Sequence, residues 1–414
     1  MRVACVGNIN NMLFVLCRYL RDAGLDCDLL LFNNEMDHFL PSNDSFDENY
    51  TSYTKVLEWG DINSFDSTSS EKITSDLQSY DFIIATQAPA FFHKAGINID
   101  VYFPAGGDLF HTPFIKDNLG WYAKLRQPKL IKYLVAHKKG IQQSIVINQE
   151  PFSEPYKSSL VKLEAKNVYY FGCPLVYQNM YRNDGTSSYS SQMKQRFNEI
   201  RKKSDLMVFH QARQLWKVKD EGSHPSKGSN NLIEGFAKSV VANPTLSFSL
   251  VLLEYGEDVN ESKELIKNLG IKEHVYWMEK MPRKELMYGL SIADFGCGEF
   301  DPGCIGGLTT WESLAVGTCL LHYMNESMVK FDEFTKVYPF INVKDPNKIA
   351  AVLNNFITQP DRYKAIGESG ASWYQENFQK ICLNKWIELI EVKRRLGIDG
   401  LKEFVNSKTT IINV

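Results

Sequence analysis

The sequence predicts an α/β chain of two Rossmann-like, doubly wound domains. Three observations predict it. Short apolar runs of strand length alternate with segments of helical periodicity along most of the chain. At 414 residues the chain is long enough for about two to three domains. Between its halves lies Asn183-Asp184-Gly185-Thr186-Ser187-Ser188-Tyr189-Ser190-Ser191, a stretch with almost nothing to bury, which reads as a linker. The expected division is a first domain at 1–182, a linker at 183–192, a second domain at 193–382 and a closing helical segment at 383–414.

Composition excludes several function classes. Hydrophobic residues at 44% and charged residues at 23% are those of an ordinary globular chain. A formal net charge of −3 gives no global case for nucleic acid. The eight cysteines stand at 5, 17, 27, 173, 297, 304, 319 and 382, with no C-x-x-C among them. They read as buried free thiols of a reducing compartment, without disulfide or metal-ligand spacing. The opening Met-Arg-Val-Ala-Cys-Val-Gly breaks at Asn8, too soon for a signal peptide, and no apolar run reaches about 18 residues. A cytoplasmic location is the expectation.

Taken in order, Val3–Val6 is a short apolar strand followed by Gly7-Asn8-Ile9-Asn10-Asn11. Met12–Ala23 carries Leu13, Leu16, Cys17 and Leu20 on one helical face, and Gly24 stops it. Asp28–Phe32 is the next strand, which completes a βαβ unit without the G-x-G-x-x-G of a dinucleotide site. Residues 41–75 are polar and read as loops with one short helix. Tyr80–Thr86 and Asp100–Pro104 are strands, the second leading into Gly106-Gly107-Asp108. A helix over 120–140 has an apolar face of Leu130, Ile131, Leu134 and Val135. It also carries Lys124, Arg126, Lys129, Lys132, Lys138 and Lys139, with Trp121 and Tyr122 beside them. That combination suits either a solvated basic face or contact with an anionic membrane through 121–139. Ser144–Asn148 and Asn167–Phe171 are the remaining strands of this half.

In the second half, Met193–Lys203 is a polar helix and Leu206–His210 a strand. Gln211-Ala212-Arg213 follows, then a polar loop, then Ser226-Lys227-Gly228 at the start of an amphipathic helix. Ser247–Glu254 and His274–Trp277 are strands around a helix at Glu261–Leu269. Met281 to Tyr288 opens a helix leading to Ala293-Asp294. The stretch from Ala293 to Leu321 then reads strand, glycine-rich turn, helix over Leu308–Val316, and strand. Gly303, Gly306 and Gly307 leave backbone N–H groups open where that helix starts, an arrangement that favours phosphate. Glu312, on the helix, offers a carboxylate to a diol such as the ribose hydroxyls. Asp361–Phe378 and Ile381–Leu396 are the closing helices.

These residues resemble the signature of retaining glycosyltransferases of the GT-B fold, the family 4 type (glycosyl transferases group 1). That pattern is an acidic residue, a glycine-rich loop, then Glu-Ala-x-Ala-x-Gly-x-Pro, and Glu312-Ser313-Leu314-Ala315-Val316-Gly317-Thr318-Cys319 fits its second half. Cys304 stands where the family has its first Glu, and Glu299 or Asp301 can take over its contact to the donor sugar. Arg213 and Lys227 match the two diphosphate-binding cations, although Ala212 replaces the family's glycine. The resemblance is specific over about 205–380 and architectural before that.

The resemblance implies a GT-B architecture, two Rossmann-like domains facing a central cleft, with the last helix packed on the first domain. It implies a nucleotide-sugar donor held by Glu312, Gly306, Gly307, Leu308, Thr309, Glu299 and Asp301, with the base near Met281. Arg213, Lys227 and Asp108 are the implied catalytic set, and Asn10 and His111 the acceptor or sugar contacts. No metal or cofactor is needed, because cations and a helix N-terminus take a metal's place. The expected reaction moves a hexose from a UDP- or GDP-sugar to the hydroxyl of a carbohydrate, lipid-linked or protein acceptor, with retention, in bacterial surface polysaccharide, glycolipid or glycoprotein assembly. Two alternatives stand beside it: a GT-B sugar-nucleotide epimerase, and a nucleotide-binding homologue without turnover.

Overall fold

Two six-stranded parallel sheets, each flanked by helices, account for most of the chain. The computed structural model describes residues 1–182, 189–217, 226–301, 303–325, 327 and 337–409, with the backbone alone at 121, 123 and 125. The expected linker lies outside the described residues over 183–188, and so does most of the loop between Arg213 and Lys227.

The first sheet is built from β1 (Arg2–Val6), β2 (Asp26–Phe32), β3 (Thr54–Leu57), β4 (Phe82–Ala85), β5 (Val101–Tyr102) and β6 (Val146–Ile147). Its order is β3-β2-β1-β4-β5-β6. The second uses β7 (Leu206–His210), β8 (Phe248–Leu253), β9 (Val275–Met278), β10 (Phe295–Cys297), β11 (Cys319–His322) and β12 (Ile341–Asn342). Its order is β12-β11-β10-β7-β8-β9. Numbered within each sheet, both orders are 3-2-1-4-5-6, the Rossmann order. Each sheet therefore reverses direction once, at β1/β4 and at β7/β10, and the loops leaving those strands open a crevice at the carboxyl edge.

The inner strands of both sheets are buried on both faces, which is why they read as apolar runs with no alternation. Ala4, Val6, Leu30, Ile83 and Ala85 join Trp59, Phe91 and Phe92 in the first core. Val208, Leu250, Leu252, Phe295 and Leu321 join Leu232, Phe236 and Ile349 in the second. Contacts divide the chain into Met1–Asn43, Asp47–Tyr177 and Phe378–Val414 on one side, and Asp44–Phe46 with Gln178–Asn377 on the other. The helix Leu383–Lys408 belongs to the first unit, where Trp386 donates its indole N–H to the Gly172 carbonyl (3.1 Å) and Lys393 pairs with Asp100 (2.6 Å).

Four details correct the sequence reading. The polar stretch 41–75 holds a strand, β3, hydrogen-bonded to β2 at the sheet edge. An edge strand with Lys55 and Val56 exposed lacks the continuous apolar run that marks a buried one. Asn167–Phe171 forms only an isolated bridge, Ile147 to Val168, and no strand. The helix expected over 120–140 is two, Trp121–Arg126 and Pro128–Gln143, because Pro128 removes a donor and fits the first helical turn. Pro346–Thr358 is a further helix, capped by Asp345 accepting from the N–H groups of Asn347 and Lys348.

Candidate functional site

In the second unit, the loops after β7 and β10 bring two helix N-termini to the reversal point. One helix is Ser229–Ala242, the other Leu308–Val316, and neither start is capped by a side chain. No hydrogen bond among the described residues takes up the N–H groups of Leu308 and Thr309. The hydroxyls of Ser229, Thr309 and Thr310 are buried there with no hydrogen-bond partner among the described residues. Gly228, before the first helix, has φ +67°, and a Cβ on it would lie 2.9 Å from the Phe300 carbonyl carbon. A side chain there would be strained and would push the two loops apart.

Lys227 and Glu299 join these helix starts. The Lys227 ammonium donates to Glu299 Oε1, with the two side chains 18% and 10% exposed. The Phe300 N–H donates to the Lys227 carbonyl (2.9 Å), which locks loop to loop. A Cβ on Gly307 would stand 3.5 Å from the same Glu299 oxygen, so this carboxylate sits between the lysine and the start of the second helix. Its other oxygen accepts from the Cys304 thiol (3.6 Å). Cys304 reaches the surface, but local desolvation of its thiol and the Glu299 charge push it above its ordinary pKa, which keeps it protonated. Cys304 is therefore poorly suited to act as a nucleophile.

Two histidines missed by the sequence reading close strands at this edge. His322, at the end of β11, accepts the Glu299 N–H at Nδ1 (3.0 Å), so its proton is on Nε2, which donates to the Cys304 carbonyl (3.0 Å). His210, at the end of β7, is fully buried and held down to about 4 by burial. Both are kept neutral, so among the described residues that come together here Lys227 is the cation. A single His ending an apolar strand is the only trace either leaves in the sequence. Arg213 is half-buried and makes no hydrogen bond or ion pair with a described residue.

Other predicted donor residues are placed differently. Glu312 is 3% exposed and accepts from Arg283 Nε (2.9 Å), and Arg283 also stands 3.5 Å from Asp44. Burial pushes the Glu312 carboxyl upward, against the pull of Arg283. Asp301 pairs with Lys344 (2.9 Å), a partly exposed pair. Met281 is half-buried just before the helix Arg283–Ile292. Lys227, Glu299, Gly306, Gly307, Leu308 and Thr309 come together, while Glu312 and Asp301 are engaged with partners of their own.

The first unit has a separate cavity of about 250 Å³ at its own reversal point, lined by Phe32, Glu35, Gln87, Asp108, Tyr133 and His137 among others. Gly7, at φ +81°, lets the loop after β1 approach the Thr86 carbonyl to a distance a Cβ would close to 2.6 Å. Gln87 and Ala88 adopt left-handed conformations (φ 66° and 48°), a cost of about 1–3 kcal/mol each that is typical of functional loops. Asp108 accepts from the Tyr102 hydroxyl (2.5 Å) and the Ala105 N–H (3.0 Å), and burial raises its carboxyl. His137 donates from Nε2 to the Asp108 carbonyl (2.8 Å) and is held down to about 4 by burial; among the described residues its Nδ1 is buried without a partner, as is Gln87 Oε1. Burial raises Glu35 to about 7, although the Asn8 N–H donates to it (3.0 Å). Asn10 (φ 54°) and His111 are exposed and do not line the cavity.

No protein-family model matches the sequence, and no curated protein matches it. Among solved structures, the chain is similar to HepE of Anabaena in complex with UDP and glucose, at 14% identity and a TM-score of 0.55, covering 94% of this chain and 99% of that one. It is also similar to the UDP-GlcNAc 2-epimerase of Neisseria meningitidis bound to UDP-GlcNAc, at 13% identity and a TM-score of 0.54, covering 94% and 100%. A third similar structure is the sucrose-phosphate synthase of Thermosynechococcus elongatus, at 13% identity and a TM-score of 0.51, covering 95% and 100%. At these identities the likeness carries the fold, two Rossmann-like domains of the GT-B type.

Proposed function

We propose that this chain is a glycosyltransferase that moves a hexose from a UDP- or GDP-sugar to an acceptor hydroxyl with retention. One observation carries the reading: two uncapped helix N-termini converge with Lys227 at the reversal point of the second sheet, beside three buried hydroxyls that lack partners among the described residues. Unpaired N–H donors, a cation and orphan hydroxyls are what a diphosphate satisfies. Arg213, which has no hydrogen-bond or ion-pair partner among the described residues, is the second cation. The diphosphate displaces Glu299 from Lys227 and frees its carboxylate for the donor sugar. The UDP and glucose held by the HepE structure support that donor class.

In the reaction the bond from the anomeric carbon to the phosphate oxygen breaks. A bond to the acceptor oxygen forms on the same face, and the acceptor proton leaves on the departing phosphate. Lys227, Arg213 and the helix starts stabilise the charge that grows on that leaving group. The first-unit cavity, the size of a single sugar ring, takes the acceptor, with Asp108 and His137 facing its hydroxyls. For a lipid-linked acceptor, the basic helices Trp121–Arg126 and Pro128–Gln143 rest on an anionic membrane at the inner face. No helix among the described residues is long and apolar enough to cross one.

The likeness to the Neisseria epimerase keeps a second reading in view. Calorimetry with UDP and GDP, followed by a panel of sugar nucleotides, separates them. Transfer or slow hydrolysis of one donor supports the transferase, interconversion of sugar epimers supports the epimerase, and nucleotide binding with no product leaves a binding protein. Absence of nucleotide binding overturns all three.

A further inference from the structure

The fold brings together three cysteines that the sequence keeps apart. Cys5 lies on β1, Cys27 on β2 and Cys17 on the helix Met12–Asp22. Val3 pairs with Cys27 across the two strands, so Cys5, two residues on, is the diagonal neighbour of Cys27 on the same sheet face. Cys17 comes down on that face from the helix. The three sulfurs lie within 4.8 Å of one another, and Cys5 Sγ and Cys27 Sγ are 3.6 Å apart. All three residues are 0% exposed.

This spacing is that of a three-sulfur metal site. An ion bound in a triangle of thiolates at about 2.3 Å holds its sulfurs about 4.0 Å apart, a value inside the observed range. Among the described residues it is the one group of cysteine, histidine and acidic side chains with such spacing. Three soft ligands and no fourth disfavour zinc, whose structural sites are four-coordinate, and thiolate softness selects Cu(I). Arg21 donates to the Cys27 carbonyl (2.8 Å) and so places a positive charge beside the excess negative charge of such a centre. We propose that Cys5, Cys17 and Cys27 form a buried trigonal thiolate site for Cu(I) in the first unit. Binding is ligand exchange without redox change: copper–sulfur bonds form, thiol protons leave to solvent, and copper stays monovalent.

The test is anaerobic titration of the reduced full chain with Cu(I) buffered by bathocuproine disulfonate, followed by X-ray absorption at the copper edge. The expected result is one Cu(I) per chain with three sulfurs at about 2.3 Å. In Cys17→Ala the affinity should fall by more than the roughly 10–100-fold that loss of an outer partner costs. Cys319→Ala, in the other unit, should bind as the native chain does. If Cys17→Ala does not fold, the copper-edge spectrum of the native chain decides alone. Failure of the native chain to take copper from the chelator, equal affinity in a folded Cys17→Ala, or a copper shell of nitrogen and oxygen overturns the proposal.

Discussion

Lys227 is the residue on which the proposed chemistry turns. Its ammonium is already desolvated and aimed at an anion, Glu299, so a diphosphate meets a preorganised charge. Lys227→Ala should lower turnover more than donor affinity, by about 2–4 kcal/mol in barrier. Arg213→Lys should also lower the proposed turnover, because a planar fork is lost while charge is kept. Full turnover in a Lys227→Ala, Arg213→Ala double variant would remove both from the mechanism. Glu35 and His137 both line the first-unit cavity, and each ties stability to pH on its own. The Glu35 carboxyl, raised from 4.5 to about 7, contributes stability below pH 4.5 that is lost as pH rises through about 7. His137, lowered from 6.5 to about 4, does the opposite: its contribution is present above 6.5 and is lost as pH falls toward 4. Glu35→Gln isolates the first effect. Its stability relative to the native chain should rise between pH 4.5 and 7, by at most on the order of 3 kcal/mol. Urea midpoints that run parallel over that range would refute the assignment.

Helix contacts decide which small residues the elements tolerate. The helix Pro128–Gln143 crosses Pro89–Ala95 at Gly140, where a Cβ would stand 2.0 Å from the Pro89 carbonyl oxygen. Two effects compete in Gly140→Ala. Helix propensity favours alanine by about 1 kcal/mol. Overpacking costs about 1–3 kcal/mol, and here the obstructing atom is backbone, which cannot rotate away. Overpacking should win, with a net loss of about 1–2 kcal/mol in urea unfolding; a stabilised variant would show that the two helices separate easily. The same crossing carries the basic face, so the helix that packs the core also presents lysines outward.

For the molecule as a whole, the proposed membrane contact rests on that basic face. Lys129 and Lys139 are exposed, Tyr122 is 53% exposed, and Lys132 spends part of its charge on Asp66 (3.0 Å). Each cation near an anionic surface is worth about 1 kcal/mol, so three reversals should abolish binding. Replacing Lys124, Lys129 and Lys132 with Glu should eliminate co-sedimentation with vesicles rich in phosphatidylserine at low salt. A native chain that stays in the supernatant would rule out membrane contact through this face.

The sequence by itself determined the order of most strands and helices, because apolar runs, glycine stops and proline starts are local signals. Leu206–His210 and Leu308–Val316 match the structure residue for residue. It also determined that Lys227 and the Gly306–Thr309 turn belong to helix starts. Sequence pattern could not reveal β3, whose stability comes from pairing with β2 rather than from its own apolar content. Nor could it show that Glu312 turns to Arg283, that two histidines are buried neutral beside Lys227, or that Cys5, Cys17 and Cys27 meet. Those facts depend on strand order. Parallel pairing sets side by side residues that are tens or hundreds of positions apart, and burial there changes what each titratable group can do.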